Sequence, residues 1–169
     1  PLCSDENGVW LRGDVACILA AKYLGADSAS TPVSCNTALE KCGWFKDIRR
    51  TRIGSPFVVA SMIEASFAGC KGVIGYEANG GFLLGFEASG PIGPIPPLRT
   101  RDSFLPIIAT LAQPGPLSAI VASQPARFTA AGRLQDVPVE ISARLIARVS
   151  MGSPTGGSLM SHSPTVAST

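Results

Sequence analysis

Apolar residues follow two different spacings along the chain, and these spacings alternate. Short apolar runs bounded by glycine and polar residues predict buried strands. Apolar positions three and four residues apart, sustained over about ten residues, predict helices. The predicted strands are residues 31–34, 44–50, 73–76 and 82–84, and the predicted helices are residues 15–23, 37–42, 56–67, 103–112 and 117–123. This alternation is typical of a layered α/β domain.

Polar residues mark the expected helix starts. Asp14, Asn36, Ser55 and Asp102 each directly precede a predicted helix, and their side chains are of the type that caps a helix N-terminus. Proline follows the serine, at the first position of its helix, where proline is favoured.

Three further segments lie outside the main strands and helices: one is expected to be extended and two to be irregular. Residues 2–11 predict two short extended pieces around a turn, whereas residues 90–97 hold two glycines and four prolines and predict loop alone. Gly, Ser, Thr and Pro fill 14 of the last 20 positions, so residues 150–169 predict a disordered tail. The single histidine, His162, lies in this tail and is interpreted as a solvated side chain.

Composition limits the function classes. The chain has 169 residues, is 46% hydrophobic and 15% charged, and carries a formal net charge of +2. This composition fits one ordinary domain and gives no basic surface for nucleic acid. Apolar runs stay well below the roughly 18 residues that a membrane span needs, and without a basic segment followed by an apolar one at the N-terminus we expect no signal peptide. We therefore expect neither a nucleic-acid nor a membrane partner.

The five cysteines are odd in number and form no CxxC pair. This pattern argues against a disulfide framework and a structural zinc site, and favours buried, reduced thiols in a cytoplasmic protein. The alternative is a catalytic thiolate, which needs a partner base that the single histidine is poorly placed to supply.

One loop carries the residue types of a binding site. Glu77, Asn79, Gly80 and Gly81 follow a predicted strand, and open α/β sheets bind ligands at strand ends. The carboxylate accepts hydrogen bonds, the amide donates and accepts them, and glycine allows close backbone approach, which suits a hydroxyl-rich ligand. The alternative is a glycine-rich turn with an exposed acid.

A second polar cluster precedes the third predicted helix. Arg49, Arg50 and Arg52 lead into Ser55 at a helix start, where anions are favoured. The cluster predicts a phosphate contact, and the alternative is a set of solvated charges at a strand end.

Four motifs in this order resemble the α-D-phosphohexomutase family, and within it the bacterial phosphomannomutase/phosphoglucomutase type. The resemblance extends to about residue 148. The motifs are Ser4-Asp5-Glu6-Asn7-Gly8-x-Trp10-Leu11-x-Gly13-Asp14, Thr31-Pro32-Val33-Ser34, Arg50-Thr51-Arg52-Ile53-Gly54, and Gly75-Tyr76-Glu77-Ala78-Asn79-Gly80-Gly81-Phe82, followed by the similar segments Arg127-Phe128-Thr129-Ala130 and Arg133-Leu134-Gln135-Asp136-x-Pro138.

The resemblance implies a fold and a reaction. Enzymes of this family have four domains, the first three of which share an α/β fold, so we expect a three-layer α/β/α domain with a mixed sheet. They move a phosphoryl group between the 6- and 1-positions of a hexose through a bisphosphorylated intermediate, with a phosphoserine and Mg²⁺. The serine loop, the Asp-Gly-Asp-x-Asp-Arg metal loop and the C-terminal phosphate-binding domain have no counterpart in this sequence.

The same template divides the chain and assigns its residues. It implies the end of the second domain in residues 1–8, the sugar-binding third domain in residues 9–122, a linker and the start of a truncated C-terminal domain in residues 123–149, and the tail in residues 150–169.

Substrate-binding roles are implied for the loop and for the neighbouring helix start. Glu77 matches the family's sugar-binding glutamate, whereas Asn79 and Gly81 stand where serine and histidine are usual, and Gly80 shapes the loop. Arg52 is expected near phosphate, with Ser55 beside it. Ser55 falls where some members carry histidine and Ser34 where some carry lysine, so no general base is assigned. No catalytic or metal-binding residue is expected in this chain.

We therefore expect a fragment of a phosphomannomutase that binds mannose or glucose phosphates and is inactive alone. Its partners would be the hexose phosphate and the missing domains, carried on another chain. The alternatives are a non-catalytic sugar-phosphate binding module, a remnant of a truncated gene, and an unrelated thiol enzyme.

Overall fold

A five-stranded mixed sheet forms the centre of the computed structural model, which describes residues 3–130, 132 and 135–150. The strands are β1 (Cys3–Ser4), β2 (Trp10–Leu11), β3 (Ser28–Pro32), β4 (Asp47–Thr51), β5 (Val73–Tyr76), β6 (Phe82–Leu84), β7 (Ala88–Gly90), β8 (Gly93–Ile95) and β9 (Leu98–Asp102). The helices are α1 (Gly13–Tyr23), α2 (Ala38–Lys41), α3 (Ser55–Phe67), α4 (Leu105–Leu111), α5 (Leu117–Ala122) and α6 (Val139–Ser150).

The central sheet has the order β4-β3-β5-β6-β9. Strand β3 pairs in parallel with β4 and β5, whereas β6 is antiparallel to both β5 and β9. Hairpins β1–β2 and β7–β8 lie outside it. The carboxyl end of β5 consequently leads directly into the loop of residues 77–81, which returns the chain to β6.

Helices cover both faces of this sheet. On one face, Val58 and Met62 of α3 pack with side chains of β5 and β6, and on the other Ile18 of α1 packs with Ile74 and Phe82. Helix α4 packs on α1, and its Thr110 hydroxyl donates a hydrogen bond of 3.1 Å to the Ala16 carbonyl. This arrangement confirms the expected three-layer α/β/α fold with a mixed sheet.

Most predicted elements are present, with shifted ends. Strands 73–76 and 82–84 are as predicted, whereas the strand predicted over 31–34 runs from Ser28 to Pro32. The strand predicted from residue 44 begins at Asp47, and the helix predicted from residue 103 begins at Leu105. The strand shifts arise because pairing partners, rather than local apolarity, decide where a strand begins.

Two of the predicted caps are wrong. Helix α1 begins at Gly13, so Asp14 lies in its first turn and bonds instead to the Arg12 side chain and to the backbone N–H of Asn36. Gly54, with φ of 130°, precedes α3, so Ser55 is the first helical residue and its hydroxyl is free for another partner.

The other two predicted caps do act on helix starts. The Asn36 side chain accepts a hydrogen bond of 2.7 Å from the backbone N–H of Ala38, and Asp102 accepts bonds from the backbone N–H groups of Phe104 and Leu105. Each caps its helix from two or three residues before the first helical position.

The prediction of loop alone over 90–97 is wrong. The β7–β8 hairpin turns through Pro91 and Ile92, with Ser89 opposite Pro94. Proline is tolerated here because a two-stranded ribbon leaves one side of each strand without a ladder partner. Strand β9 follows at once and was not predicted, since its residues show no apolar run.

Thr129 ends the first of two compact units, and the second begins at Ala130. In the second unit, α6 was not predicted from the sequence; it buries no side chain and is amphipathic, with Ile141, Leu145 and Val149 following one another at helical spacing. The predicted tail, apart from Ser150, and His162 lie outside the described residues. Within the described residues, no helix is long and apolar enough to cross a membrane.

Candidate functional site

The Glu77 carboxylate lies at the carboxyl end of β5 and is held by one hydrogen bond and one ion pair. Its Oε2 atom accepts a hydrogen bond of 3.1 Å from the Ser55 hydroxyl at the start of α3. The same oxygen forms an ion pair of 3.2 Å with the Nε atom of Arg101 on β9. Glu77 is 9% exposed, so neighbours from two elements fix the orientation of a largely buried carboxylate.

The second carboxylate oxygen of Glu77 is available for a ligand. Among the described residues, no hydrogen bond reaches Oε1. Oε1 is not among the fully buried unpaired atoms, so it remains accessible, and an oriented acceptor of this kind is suited to a hydroxyl donor. The arrangement is therefore able to recognise a hydroxylated molecule.

Backbone hydrogen bonds close the loop that follows. The N–H of Gly80 donates to the Glu77 carbonyl at 3.0 Å, and the N–H of Glu77 donates to the Gly81 carbonyl at 2.9 Å. The Asn79 side-chain oxygen accepts from the N–H of Gly81 at 3.0 Å. This bond uses one of the two lone pairs of the oxygen, so the Asn79 side chain can still donate to a ligand through its NH₂ group and accept one further hydrogen bond.

The loop rests on the start of α1 through two glycines. A Cβ atom added at Gly13 would lie 2.2 Å from the backbone nitrogen of Gly80, whose φ of +86° is itself a conformation that favours glycine. The cavity beside this contact holds about 20 Å³, room for one water molecule. This cavity is too small for a ligand larger than water.

Two of the three predicted basic residues are occupied by structural contacts. Arg49 pairs with Asp47 at 2.7 Å, and Arg50 pairs with Glu40 at 2.6 Å. Burial alone would raise the pKa of Glu40, but the hydrogen bond and charge of Arg50 outweigh it and lower that pKa. Arg50 also donates to backbone carbonyls of the segment between β3 and α2.

The remaining predicted residues lie apart from Glu77. Arg52 is exposed, with its guanidinium carbon 5.8 Å from the centre of the Phe57 ring, and no described contact joins it to Glu77. Ser34 is exposed in the turn after β3. The structure thus brings Ser55 and the 77–81 loop together, and leaves Arg52 at the surface.

Arg101 belongs to the site but was missed in the sequence. It lies on β9, which follows a proline-rich segment and shows neither strand alternation nor a motif. Its place is set by pairing of β9 with β6, where Asp102 lies opposite Phe82. Only this long-range register brings Arg101 beside the loop.

All five cysteines are free; Cys17 and Cys35 are buried, and the other three are partly buried. Burial chiefly raises the pKa of Cys35 to about 11, and it raises that of Cys17 well above its ordinary value. Both thiols are therefore protonated at neutral pH, which disfavours the thiol-enzyme alternative.

Magnesium, which the resemblance implies for the intact enzymes, has no set of ligands in the described part of the chain. No group of three or more His, Cys, Asp or Glu side chains comes together there. The residues present do not fit the ion, and no chemical step is assigned to it here.

Comparison with known proteins now identifies the class to which this α/β domain and its carboxylate loop belong. A phosphomannomutase of Salmonella muenchen is 43% identical over 148 residues, which cover 86% of this chain and 31% of that protein. A phosphomannomutase of Sinorhizobium fredii (strain NBRC 101917 / NGR234) is 40% identical over 151 residues, which cover 87% of this chain and 32% of that protein. No family model matches the chain.

Among solved structures, a putative phosphomannomutase from Thermus thermophilus matches with a TM-score of 0.43 and 19% identity, over 68% of this chain and 23% of that one. At this level the structural likeness adds nothing to the two sequence matches.

The sequence matches confirm the predicted family: the chain is related to the phosphohexomutases. Among them, it is similar to phosphomannomutases over most of its own length, and it spans about a third of the length of the relatives it matches.

Proposed function

We propose that this chain is the sugar-binding part of a phosphomannomutase, an enzyme that interconverts hexose 6-phosphate and hexose 1-phosphate. The observation that carries the proposal is the Glu77 carboxylate, fixed by Ser55 and Arg101 with Oε1 free. Relatives named phosphomannomutase, at 40–43% identity, supply the substrate class. Mannose phosphates are the proposed ligands, with glucose phosphates as the second pair.

Each loop residue has a proposed role in sugar binding. Glu77 Oε1 accepts hydrogen bonds from ring hydroxyls, and the NH₂ group of Asn79 donates to a hydroxyl oxygen. Gly80 and Gly81 keep the loop flat against its neighbours, so that backbone lies close to the sugar. A sugar that lacks the matching hydroxyl does not make the hydrogen bond to Oε1, and it binds less well for that reason.

The chain alone is proposed to bind without turning over. Phosphoryl transfer needs a positioned phosphoryl group and donors that neutralise the charge developing on it. In intact family members Mg²⁺ and a phosphoserine supply this chemistry, and neither the serine loop nor a metal-ligand cluster is found in the described residues. The free thiols fit a reducing cytoplasm, which we propose as the compartment.

Binding of mannose 6-phosphate to the purified full chain tests the proposal. Saturable chemical-shift changes of the 77–81 backbone amides are expected on titration. Glu77→Gln keeps the size of the side chain but removes its charge, and it should weaken binding by about tenfold or more. Equal affinity of Glu77→Gln and the unchanged chain, or no binding at millimolar ligand, would contradict the proposal.

Turnover is measured separately. The purified chain, supplied with Mg²⁺, a hexose bisphosphate activator and mannose 1-phosphate, should form no mannose 6-phosphate. Formation of product that Glu77→Gln abolishes would show that the chain carries a complete active site.

A further inference from the structure

We propose that Arg101 is a substrate-binding residue of the Glu77 site, and that its guanidinium holds the phosphate group of the hexose phosphate. This inference rests on the proposed function and adds the anion-binding half of the site. It replaces Arg52, the arginine that the sequence motif favours for phosphate.

The contact between Arg101 and Glu77 leaves most of the guanidinium donors free. The ion pair joins the Nε atom of Arg101 to Glu77 Oε2, at 3.2 Å, and no hydrogen bond from the Nη atoms of Arg101 is found among the described residues. An arginine has five N–H donors in a planar fork, and the four on its two Nη atoms match a phosphate in a bidentate contact. Among the described residues, Arg101 has no other carboxylate partner, and its side chain is 51% exposed.

The absent side chain of Gly81 makes room for this guanidinium. A Cβ atom added at Gly81 would lie 2.9 Å from Arg101 Nε and 3.4 Å from its Cγ. Strand pairing holds the two residues together, since Phe82 of β6 lies opposite Asp102 of β9. A glycine at position 81 is therefore what allows an arginine on β9 to reach the sugar-binding carboxylate.

Charge explains what the pair recognises. Glu77 and Arg101 together carry no net charge, yet they offer one free carboxylate oxygen and one set of free guanidinium donors side by side. Hydroxyl groups satisfy the first and a phosphate satisfies the second. A phosphorylated sugar can bind both groups, whereas with a neutral sugar the Arg101 guanidinium stays solvated.

Two other arginines serve as rivals and as controls. Arg52 is exposed over the Phe57 ring, and no described contact links it to the loop. Arg99 lies two residues before Arg101 on β9 and is also exposed, without a described contact to Glu77. Replacing either one removes the same charge as replacing Arg101.

The test compares three ligands across variants of the full chain by calorimetric or NMR titration. Arg101→Gln should weaken mannose 6-phosphate binding by about tenfold and change mannose binding by less than about threefold. Arg99→Gln and Arg52→Gln should bind both ligands as the unchanged chain does. Inorganic phosphate should bind weakly to the unchanged chain, and more weakly still to Arg101→Gln.

Gly81→Ala tests the placement without altering charge. The backbone at position 81 accepts alanine, so the chain should fold, but the new methyl group should push the guanidinium aside and weaken mannose 6-phosphate binding. Unfolding midpoints of every variant confirm that losses are local.

The outcomes separate this inference from the proposed function. If Glu77→Gln weakens mannose 6-phosphate binding and Arg101→Gln does not, the site stands and the role of Arg101 is refuted. If Arg101→Gln weakens mannose and mannose 6-phosphate equally, Arg101 acts only by orienting Glu77, and the phosphate contact is refuted. If only Arg52→Gln weakens mannose 6-phosphate binding, Arg52 is the phosphate contact. If the unchanged chain binds none of the three ligands, both proposals are overturned.

Discussion

A single oxygen atom, Glu77 Oε2, makes both contacts that hold the carboxylate: it accepts a hydrogen bond from the Ser55 hydroxyl and forms the ion pair with Arg101. Serine at the first position of α3 is usually explained by capping, but here its hydroxyl points across to the strand end. The serine hydroxyl at the start of α3 therefore orients Glu77 and does not cap the helix. Because Ser55 contributes the orientation of the Glu77 carboxylate, its replacement should affect ligand binding more than the stability of the fold.

Ser55→Ala should accordingly weaken hexose-phosphate binding by a few fold, while lowering the free energy of unfolding by only about 1 kcal/mol. The matched control is Ser66→Ala in the same helix, whose hydroxyl donates to the Met62 carbonyl and faces no site. Titration and urea unfolding of both variants check this. An equal effect of the two substitutions on binding would argue against an orienting role for Ser55.

Among elements, the segment between β3 and α2 depends on one side chain from β4. Arg50 donates to the carbonyls of Pro32, Cys35 and Asn36 at 2.9, 3.1 and 3.2 Å, and it pairs with Glu40 of α2. The motif that suggested an anion site thus holds a backbone turn in place. Arg50 donates to three carbonyls at once, of which that of Pro32 also accepts from the backbone N–H of Cys35 at 3.1 Å, and a lysine with a compact ammonium would do this less well.

The Glu40–Arg50 pair makes stability depend on pH. Because the folded-state pKa of Glu40 is lowered from 4.5, its contribution is present above about pH 4.5 and is lost as pH falls through the lowered value. Glu40→Gln should remove that part of the acid destabilisation. Urea midpoints measured between about pH 6 and pH 3 should converge for the two proteins at the acid end. Parallel curves for Glu40→Gln and the unchanged chain would rule out this contribution.

The docking of α3 on the sheet depends on Gly75. A Cβ atom there would lie 2.5 Å from Val58 Cγ1 and 2.6 Å from Met62 Sδ. Gly75→Ala should therefore cost about 1–3 kcal/mol of unfolding free energy by overpacking.

Met62→Ala provides the partner for a double-mutant cycle at this contact. It should cost about 2–5 kcal/mol by leaving a cavity. Met62→Ala removes one of the two close contacts of the Gly75→Ala methyl group and leaves the one with Val58 Cγ1, so the double variant should lose less than the sum of the two. Strict additivity in urea unfolding would show that Gly75 and Met62 do not share this space.

At the scale of the whole molecule, the end of the first compact unit is tied back to its core. The Gln124 side chain donates to the Val15 carbonyl at 2.9 Å, and that of Asn36 donates to the Arg127 carbonyl at 3.1 Å and the Thr129 hydroxyl at 2.9 Å. Asn36 is only 5% exposed. Residues 123–129 therefore pack as part of the first compact unit, whereas the family template implies that the domain ends at residue 122.

Truncation tests this boundary. A chain ending at Thr129 should unfold at nearly the same urea concentration as the first unit of the full chain. A chain ending at Ala122 should be less stable by a few kcal/mol, because it loses three hydrogen bonds and leaves the Asn36 amide unsatisfied. Equal midpoints for the two truncated chains would support the predicted boundary at residue 122.

The sequence predicted those elements whose structure depends on interactions between residues close together along the chain. Strand β5 and the loop after it follow from an apolar run ending in Glu77 and two glycines, and the layer order follows from alternating spacings. Arg101 could not be found in this way, because its role depends on the register of β9 against β6. The role of Arg50 was misread for a similar reason: the carbonyls it satisfies lie 14 to 18 residues away.

The contact between Gly13 and Gly80 has a consequence for anyone who wishes to redesign this chain. Their backbones are in contact, so most side chains introduced at position 13 or position 80 would displace the 77–81 loop. Most members of a library randomised at either position would therefore have an altered loop. Position 81 has no such neighbour in the main chain, and a side chain introduced there meets only other side chains. Variants with altered binding at the proposed sugar site should therefore be sought at residues 79, 81 and 101 together.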